Sequence, residues 1–500
     1  MRSILGKAKD IFIKHDNCIV FIMMCLLTLG ITLNVNIESS DELWNFQNIY
    51  KMYNGFTIYS DANVICTPLF FYIGEILFKL FGANFFVFRI YNMIIVSTMF
   101  LFSYKILKKL KFSKKVAILT NLLIILISNY TLILVQANYN VLALLFCLIG
   151  IYLNLEKNEI NNAKLKPVFI QAIVTFVIFM TKQNIGILYL IGYIVYTIIQ
   201  KTSIKEKMKK ITLYILTNLI LISMFCTFLY WQNNLYDFIN YAILGIKEFT
   251  IENMNISMDV IIITLVILIT NSVFSIFLLK TKNIKEEEKN NIYILDIFSI
   301  IISGFIIPIP NTAHFFIGIF IASITFLYLI KLIVNIKKKK KTVSYIVELT
   351  TICTIWGMLL LSIINLFNWY KNVKSMNYDY KNPFFGGILN KQQEEEEIKK
   401  VDNFILSQED DVIILSHRAA LYMVPLGENN GKFDLAFKGN LGKDGEEGLI
   451  TDLKAKKYII LIEKNPQDMN YQESNLVREY ITRNYNNIGE IENLLIYKNY

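Results

Sequence analysis

The sequence predicts an α-helical polytopic membrane protein, with about eleven transmembrane helices followed by a C-terminal extracytoplasmic α/β domain. Three observations predict it. The chain of 500 residues is 54% hydrophobic and 18% charged. Apolar runs of bilayer-crossing length recur through its first three quarters. From about Asn368 onward the composition turns polar, with the patterning of a soluble α/β unit.

The spans run from Cys18 to Ile37, Phe86 to Leu107, Val116 to Val135, Tyr139 to Leu155, Pro167 to Thr181, Ile185 to Gln200, Ile211 to Trp231, Val260 to Leu279, Ile292 to Ile309, Phe315 to Ile336 and Val343 to Phe367. The loops between them set orientation, because Lys and Arg accumulate in short cytoplasmic connections while acidic residues contribute little. One set of alternate loops carries Arg2, Lys7, Lys9 and Lys14, then basic runs from Lys105 to Lys115, Lys157 to Lys166, Lys201 to Lys210, Lys280 to Lys289 and Lys337 to Lys341. The opposite loops are nearly free of them, with Lys51, Lys79, Lys182 and Lys247 as the exceptions. The protein is therefore expected in the plasma membrane with its N-terminus cytoplasmic and residues 38–85 outside. The net charge of +10 follows from these span-flanking lysines and their attraction to anionic membrane lipid, so no nucleic-acid partner is read from it. The first apolar segment has a basic start like a signal peptide, but it ends in Asn34-Val35-Asn36-Ile37 and lacks a small-residue cleavage site, which marks a retained anchor.

The outward loop 38–85 is far longer than the connections usual in helix bundles, as expected of a functional element. Leu43, Phe46, Ile49, Tyr50 and Tyr53 recur at helical spacing, predicting an amphipathic helix on the membrane face that Asn54-Gly55 ends. A second apolar stretch from Leu69 to Phe81 follows Pro68 and predicts another surface helix. Trp231 to Asp259 reads as a further outward loop rich in aromatics. In the C-terminal part, helices are predicted from Gln392 to Leu406, Arg418 to Tyr422, Glu446 to Ala455 and Ser474 to Tyr485, and strands at Val412 to Leu415, Tyr458 to Ile462 and Leu494 to Tyr497. No glycine-rich nucleotide signature occurs. The six cysteines lie within or beside spans and none lies in the C-terminal part, which excludes a disulfide framework or a spaced metal cluster.

The most informative residues are Asp41 and Glu42, adjacent acids directly after the first span. Charge is costly within a bilayer, so acids held at the mouth of a helix bundle are functional candidates. With this pair stand Thr67-Pro68-Leu69-Phe70-Phe71-Tyr72, Thr181-Lys182-Gln183-Asn184 and Pro308-Ile309-Pro310-Asn311-Thr312-Ala313-His314. Their order and sidedness resemble the GT-C superfamily, integral-membrane glycosyltransferases that include the protein O-mannosyltransferases and the lipid A aminoarabinose transferases. The resemblance implies a GT-C-like transmembrane domain over residues 1–367 and an extracytoplasmic domain over residues 368–500. It further implies an inverting glycosyltransferase that moves a sugar from a polyprenyl-phosphate donor to an extracytoplasmic acceptor in the cell envelope. Many members place a second acid after the third span, where this chain has Gln136, Asn138 and Asn140. A divalent metal therefore stays an open cofactor with no ligand set assigned.

Such a reaction needs a base for the acceptor hydroxyl and a cation for the departing phosphate. Asp41 suits the base. Ser39-Ser40-Asp41-Glu42 also reads as a capping box, in which Glu42 is the reciprocal third residue, so Glu42 fits capping and catalysis equally. Lys182 fits phosphate neutralisation or snorkelling to the interface. Arg89 fits a bidentate phosphate contact or an anchor, and His314 a phosphate or acceptor contact or interfacial packing. Gln183 and Asn138 complete the candidate substrate-binding set. A transporter or flippase of lipid-linked glycans would show inverted repeats and midplane polar residues, whereas the polar candidates here cluster at one surface. A non-enzymatic assembly protein, binding its partner through the C-terminal domain, is the third reading.

Overall fold

A computed structural model describes residues 2–33, 35, 37, 41–128, 134, 137–156, 165–252, 257–307, 309–336, 363–364, 366–368, 370–371, 392–428, 430–434, 441–465 and 474–499. The bundle is built from α1 (Arg2–Thr32), α4 (Phe85–Lys109), α5 (Lys114–Ser128), α6 (Tyr139–Glu156), α7 (Lys166–Thr181), α8 (Gln183–Ile199), α9 (Ile204–Trp231), α12 (Met258–Lys280), α13 (Glu286–Ser303) and α14 (Thr312–Ile336). Among the described residues, six helices are long and apolar enough to cross a membrane, and α6, α7 and α8 are shorter apolar helices. The predicted eleventh span lies almost wholly outside the described residues. α4 packs between α1 and α6, α7 against α8 and α9, and α13 against α8 and α14.

The alternate loops reach opposite ends of this bundle. At one end Lys108 and Lys114 pair with Asp16 at 2.6 and 2.9 Å, Lys111 with Glu287 at 2.9 Å, and Lys201 with Glu286 at 2.9 Å. These contacts join α1, the α4–α5 and α8–α9 turns and the start of α13, the loops read as lysine-rich from the sequence. The exposed pairs contribute little energy individually, and their value is topological. The segment that follows α1 and the α7–α8 turn lie at the other end.

That other end is covered by α2 (Asp41–Tyr53) and α3 (Leu69–Phe81). α2 corrects the expectation of a surface helix, because every residue from Glu42 to Met52 is buried. Its aromatic residues pack in different directions: Phe46 stacks on Phe85, with ring centroids 3.9 Å apart, and Trp44 is edge-on to Phe71 at 6.0 Å. Its polar side finds specific partners: Asn45 donates to the Ala137 carbonyl at 3.3 Å, and Lys51 donates to the Gly431 carbonyl at 2.8 Å while pairing with Asp434. Amphipathic spacing was legible in sequence, but the partners that bury the polar side come from distant segments. The stretch after Trp231, read as a loop, is helical: α10 (Leu235–Phe238), a π-helical turn (Ile239–Leu244) and α11 (Gly245–Glu252).

The C-terminal part holds α15 (Gln392–Leu406), β1 (Val412–Leu415), α16 (Ala419–Met423), α17 (Gly445–Ala455), β2 (Ile459–Glu463), α18 (Asn475–Asn484), β3 (Asn486–Ile491) and β4 (Leu494–Lys498). The sheet order is β1-β2-β4-β3, with β1 and β2 parallel and the other pairs antiparallel. Alternation divides its faces. Ile414, Ile459, Leu461 and Ile496 join the core that continues into the helical bundle, whereas Ile413, Ile460 and Ile462 pack with Leu453 and Ile481 of α17 and α18. β3 escaped the sequence reading because it is an exposed edge strand, mostly polar and broken in register between Asn487 and Gly489.

At the C-terminal ends of the parallel strands, Glu463 accepts from Ser416 Oγ and lies 3.1 Å from His417 Nδ1. Burial disfavours the Glu463 carboxylate, but the hydrogen bonds from His417 and Ser416 outweigh it and hold the group below the usual glutamate range. A carboxyl whose folded pKa lies below its unfolded one gives stability that is fully present above the unfolded value, about 4.3, and is lost as pH falls through the folded value. Acid unfolding of the C-terminal unit should therefore steepen below about pH 4, and Glu463→Gln should flatten that limb in circular-dichroism melts across the acid range. Lys51→Met leaves Asp434 buried without its cation and should cost about 3–5 kcal/mol, with thermal unfolding of the purified protein as the readout.

Candidate functional site

Two residues that are neighbours in sequence have opposite environments at the start of α2. Glu42 is 1% exposed and Asp41 is exposed. Both Glu42 oxygens accept from Arg89, from Nε and Nη2 at 2.8 Å each. Arg89 is itself fully buried, and its Nη1 donates to the Thr32 carbonyl and to the Val35 carbonyl at 2.7 Å. The guanidinium is thus turned inward, tying the end of α1 and the start of α2 to α4 through a fork that only arginine supplies. Ser39 and Ser40 of the capping box lie outside the described residues.

Asp41 is left at the rim, acting electrostatically on Lys182 and Tyr139. Lys182 projects from the turn between α7 and α8, where its Nζ stands 4.5 Å from the centre of the Tyr139 ring. Desolvated placement of an ammonium on an aromatic face is worth about 1–2 kcal/mol and fixes its direction. Cys66 and His314 also share the field of Lys182. The His314 ring is held by Nδ1 against the Ile309 carbonyl at 2.7 Å and lies edge-on to Phe305 at 4.5 Å, while its backbone N–H donates to Asn311. Asp41, Lys182 and His314, separated widely in sequence, therefore converge at one end of the bundle.

Local sequence explains how Lys182 is presented. Thr181 ends α7, Lys182 takes an extended conformation with φ −154° and ψ 110°, and α8 begins at Gln183. The turn is tight because Gly186 carries no Cβ, which would otherwise strike the backbone of Phe179. Thr67 Oγ1 donates to that same Phe179 carbonyl at 2.5 Å, fixing the Thr67-Pro68 segment beside it. Gln183 is buried rather than presented to a ligand: its Nε2 donates to the Ile65 carbonyl at 2.9 Å and to the Ala242 carbonyl at 2.8 Å. Asn138 is also buried, its Oδ1 accepting from the Asn140 N–H at 2.7 Å to form the turn that starts α6. Gln136 lies outside the described residues.

Tyr139 was not singled out from sequence, yet its ring carries Lys182 and packs against Trp44 and Phe70. Its only local signal is an aromatic residue set between two asparagines at a helix start. Among the described residues, no group of three or more His, Cys, Asp or Glu side chains comes together to hold a metal ion.

Residues 66–231 match the family described as dolichyl-phosphate-mannose-protein mannosyltransferase. A comparison with curated protein sequences finds no match. The fold is similar to that of ArnT from Cupriavidus metallidurans, both bound to undecaprenyl phosphate (TM-score 0.57, 9% identity) and in the apo state (TM-score 0.58, 10% identity). Each similarity covers 97% of this chain and 98% of the other. The matched family is by its description one of mannosyltransferases, and the chain has the ArnT-like GT-C fold.

Breaking the fork at the start of α2 should be severe. Arg89→Lys cannot satisfy both Glu42 oxygens and two carbonyls, and it should lower the melting temperature in detergent; Arg89→Ala should cost about 3–5 kcal/mol by leaving Glu42 buried and unpaired.

Proposed function

We propose that this GT-C protein is a membrane glycosyltransferase that moves a sugar from a polyprenyl-phosphate carrier to a hydroxyl of an extracytoplasmic acceptor. The observation that carries the reading is the convergence of exposed Asp41 with Lys182, whose ammonium stands on the Tyr139 ring, at the end of the bundle opposite the lysine-rich loops. The positive-inside bias puts the lysine-rich end in the cytoplasm and the Asp41 end outside. The matched mannosyltransferase family and the ArnT structure with undecaprenyl phosphate support the carrier class.

In this reading Asp41 takes the proton of the acceptor hydroxyl as its oxygen attacks the anomeric carbon. The new bond forms on the face opposite the carrier, so the bond from the anomeric carbon to the phosphate oxygen breaks with inversion. The electron pair leaves with polyprenyl phosphate, whose phosphodiester becomes a monoester with one more negative charge. Lys182 stabilises that charge, and its aromatic support keeps the ammonium aimed without the reorganisation that water would need. His314 is placed to contact the phosphate or the acceptor. Glu42, Arg89, Gln183 and Asn138 act on the reaction through position: the first two set Asp41, Gln183 sets the Lys182 turn, and Asn138 sets Tyr139.

Asp41→Asn keeps the size of the side chain and removes the base. Purified protein in lipid, given a panel of polyprenyl-phosphate sugars, should lose at least about 100-fold in turnover with this variant while still binding the carrier. Turnover unchanged by Asp41→Asn would end the assignment. Lys182→Met should weaken carrier-phosphate binding and slow transfer together, as a titration with polyprenyl phosphate would show.

A further inference from the structure

A cavity of about 650 Å³ opens between the π-helical turn, the segment before Cys66 and the C-terminal part. Its size falls in the range of ligand pockets. Two aromatic residues line it, Tyr236, 65% exposed, and Tyr241, 6% exposed. Four acids, Asp237, Asp444, Glu447 and Asp452, outnumber two lysines, Lys432 and Lys443. Each lysine lies against an acid, Lys432 at 3.6 Å from Asp237 and Lys443 at 2.8 Å from Asp444, and each stands over a ring, Lys432 5.9 Å from the centre of Tyr241 and Lys443 5.7 Å from that of Tyr236, so the lining is polar with a negative surplus. Burial, together with Asp452, Asp237 and Asp444, pushes the Tyr241 phenol upward, so its hydroxyl stays a donor.

The walls are joined by specific contacts. Asn240 Oδ1 accepts from the Lys443 N–H at 2.8 Å. Gly442, at φ +76°, lies so close that a Cβ there would sit 3.0 Å from both Asn240 Oδ1 and the Tyr241 ring. Asn63 closes a third side, donating to the Asp434 carbonyl at 2.7 Å. A π-helical turn is rare and recurs at functional sites, and here it carries both Asn240 and Tyr241 of the cavity lining.

The cavity is also mechanically continuous with the Lys182 site. Gln183, the residue after Lys182, holds Ile65 with one hydrogen bond and Ala242 of the π-helical turn with the other. Asn63 precedes Cys66, which shares the field of Lys182, by three residues, a span of at most about 11 Å.

We infer that this cavity is an acceptor subsite that binds a sugar ring, uncharged or carrying an amine. The inference rests on the transferase reading for the word acceptor. The chemistry selects the ligand class. The exposed Tyr236 ring receives the positively polarised C–H surface of a sugar ring, while the Tyr241 hydroxyl, the carboxylates and the asparagine amides pair with its hydroxyls. The surplus of acids favours an ammonium substituent and repels phosphorylated or carboxylated sugars, which separates this subsite from the phosphate-binding Lys182 site.

The test is calorimetric titration of the full chain in lipid nanodiscs with three tetrasaccharides: N-acetylglucosamine (uncharged), glucosamine (cationic) and galacturonic acid (anionic). The uncharged or the cationic ligand should bind at least tenfold more tightly than the anionic one. Tyr236→Ala and Asp452→Asn should each weaken that binding about tenfold while leaving the affinity for undecaprenyl phosphate and the melting temperature unchanged. Binding of none of the three, equal binding of the anionic one, or sugar affinity unaltered in both variants would overturn the subsite. Asp41→Asn should keep sugar affinity. Sugar binding intact while Asp41→Asn retains transfer would remove the catalytic reading alone, whereas no sugar binding with transfer lost in Asp41→Asn would remove the subsite alone.

Discussion

A carboxylate and a guanidinium both withdrawn from water must satisfy one another, and the Glu42–Arg89 fork does so at the junction of α1, α2 and α4. The desolvation of two charges is offset only by near-ideal geometry and additional acceptors, and here the Thr32 and Val35 carbonyls supply the latter. This fixes where the chain leaves the first span and in which direction α2 starts. With Glu42 turned inward, the preceding residue of the same helix turn is left at the rim. The position of Asp41 is thus a consequence of the burial of its neighbour.

The same logic recurs at the second half of the site. Lys182 is positioned by groups that hold the turn around it: the absence of a side chain at Gly186, the Thr67 hydroxyl on the Phe179 carbonyl, and the Gln183 amide spread across two backbone carbonyls. Tyr139 then supplies a face on which the ammonium rests. Each of these contacts joins segments more than forty residues apart except within the α7–α8 hairpin. In the proposed reaction, a base and a cation held in this way would need little reorganisation as charge moves between them.

The C-terminal part contributes to this region rather than hanging from it. Lys51 and Asn63 bind the neighbourhood of Asp434, Asn240 binds the turn at Lys443, and one sheet face shares its core with the bundle. Helix α2 consequently lies under cover instead of on the surface. A cavity lies between these parts beside that shared core, and its aromatic and acidic lining gives the space a chemistry of its own.

The sequence by itself determined the fold class, the order of the helices, the alternation of basic loops and most C-terminal elements, because these follow from hydrophobic period, length and local charge. It also pointed to Asp41, Lys182 and His314 as candidates, since charge or imidazole beside an apolar run is locally conspicuous. What only the tertiary structure decided is the surroundings of each candidate. In sequence only the capping box sets Glu42 apart from Asp41, and Arg89 reads as an anchor or a phosphate ligand until its partner is known. Tyr139 and the edge strand β3 were invisible for the same reason: one matters through a residue from another helix turn, the other through backbone pairing that leaves its side chains exposed. Local patterns encode which elements form, whereas the role of a charged side chain is set by burial and by the partner that reaches it, and both are properties of long-range packing.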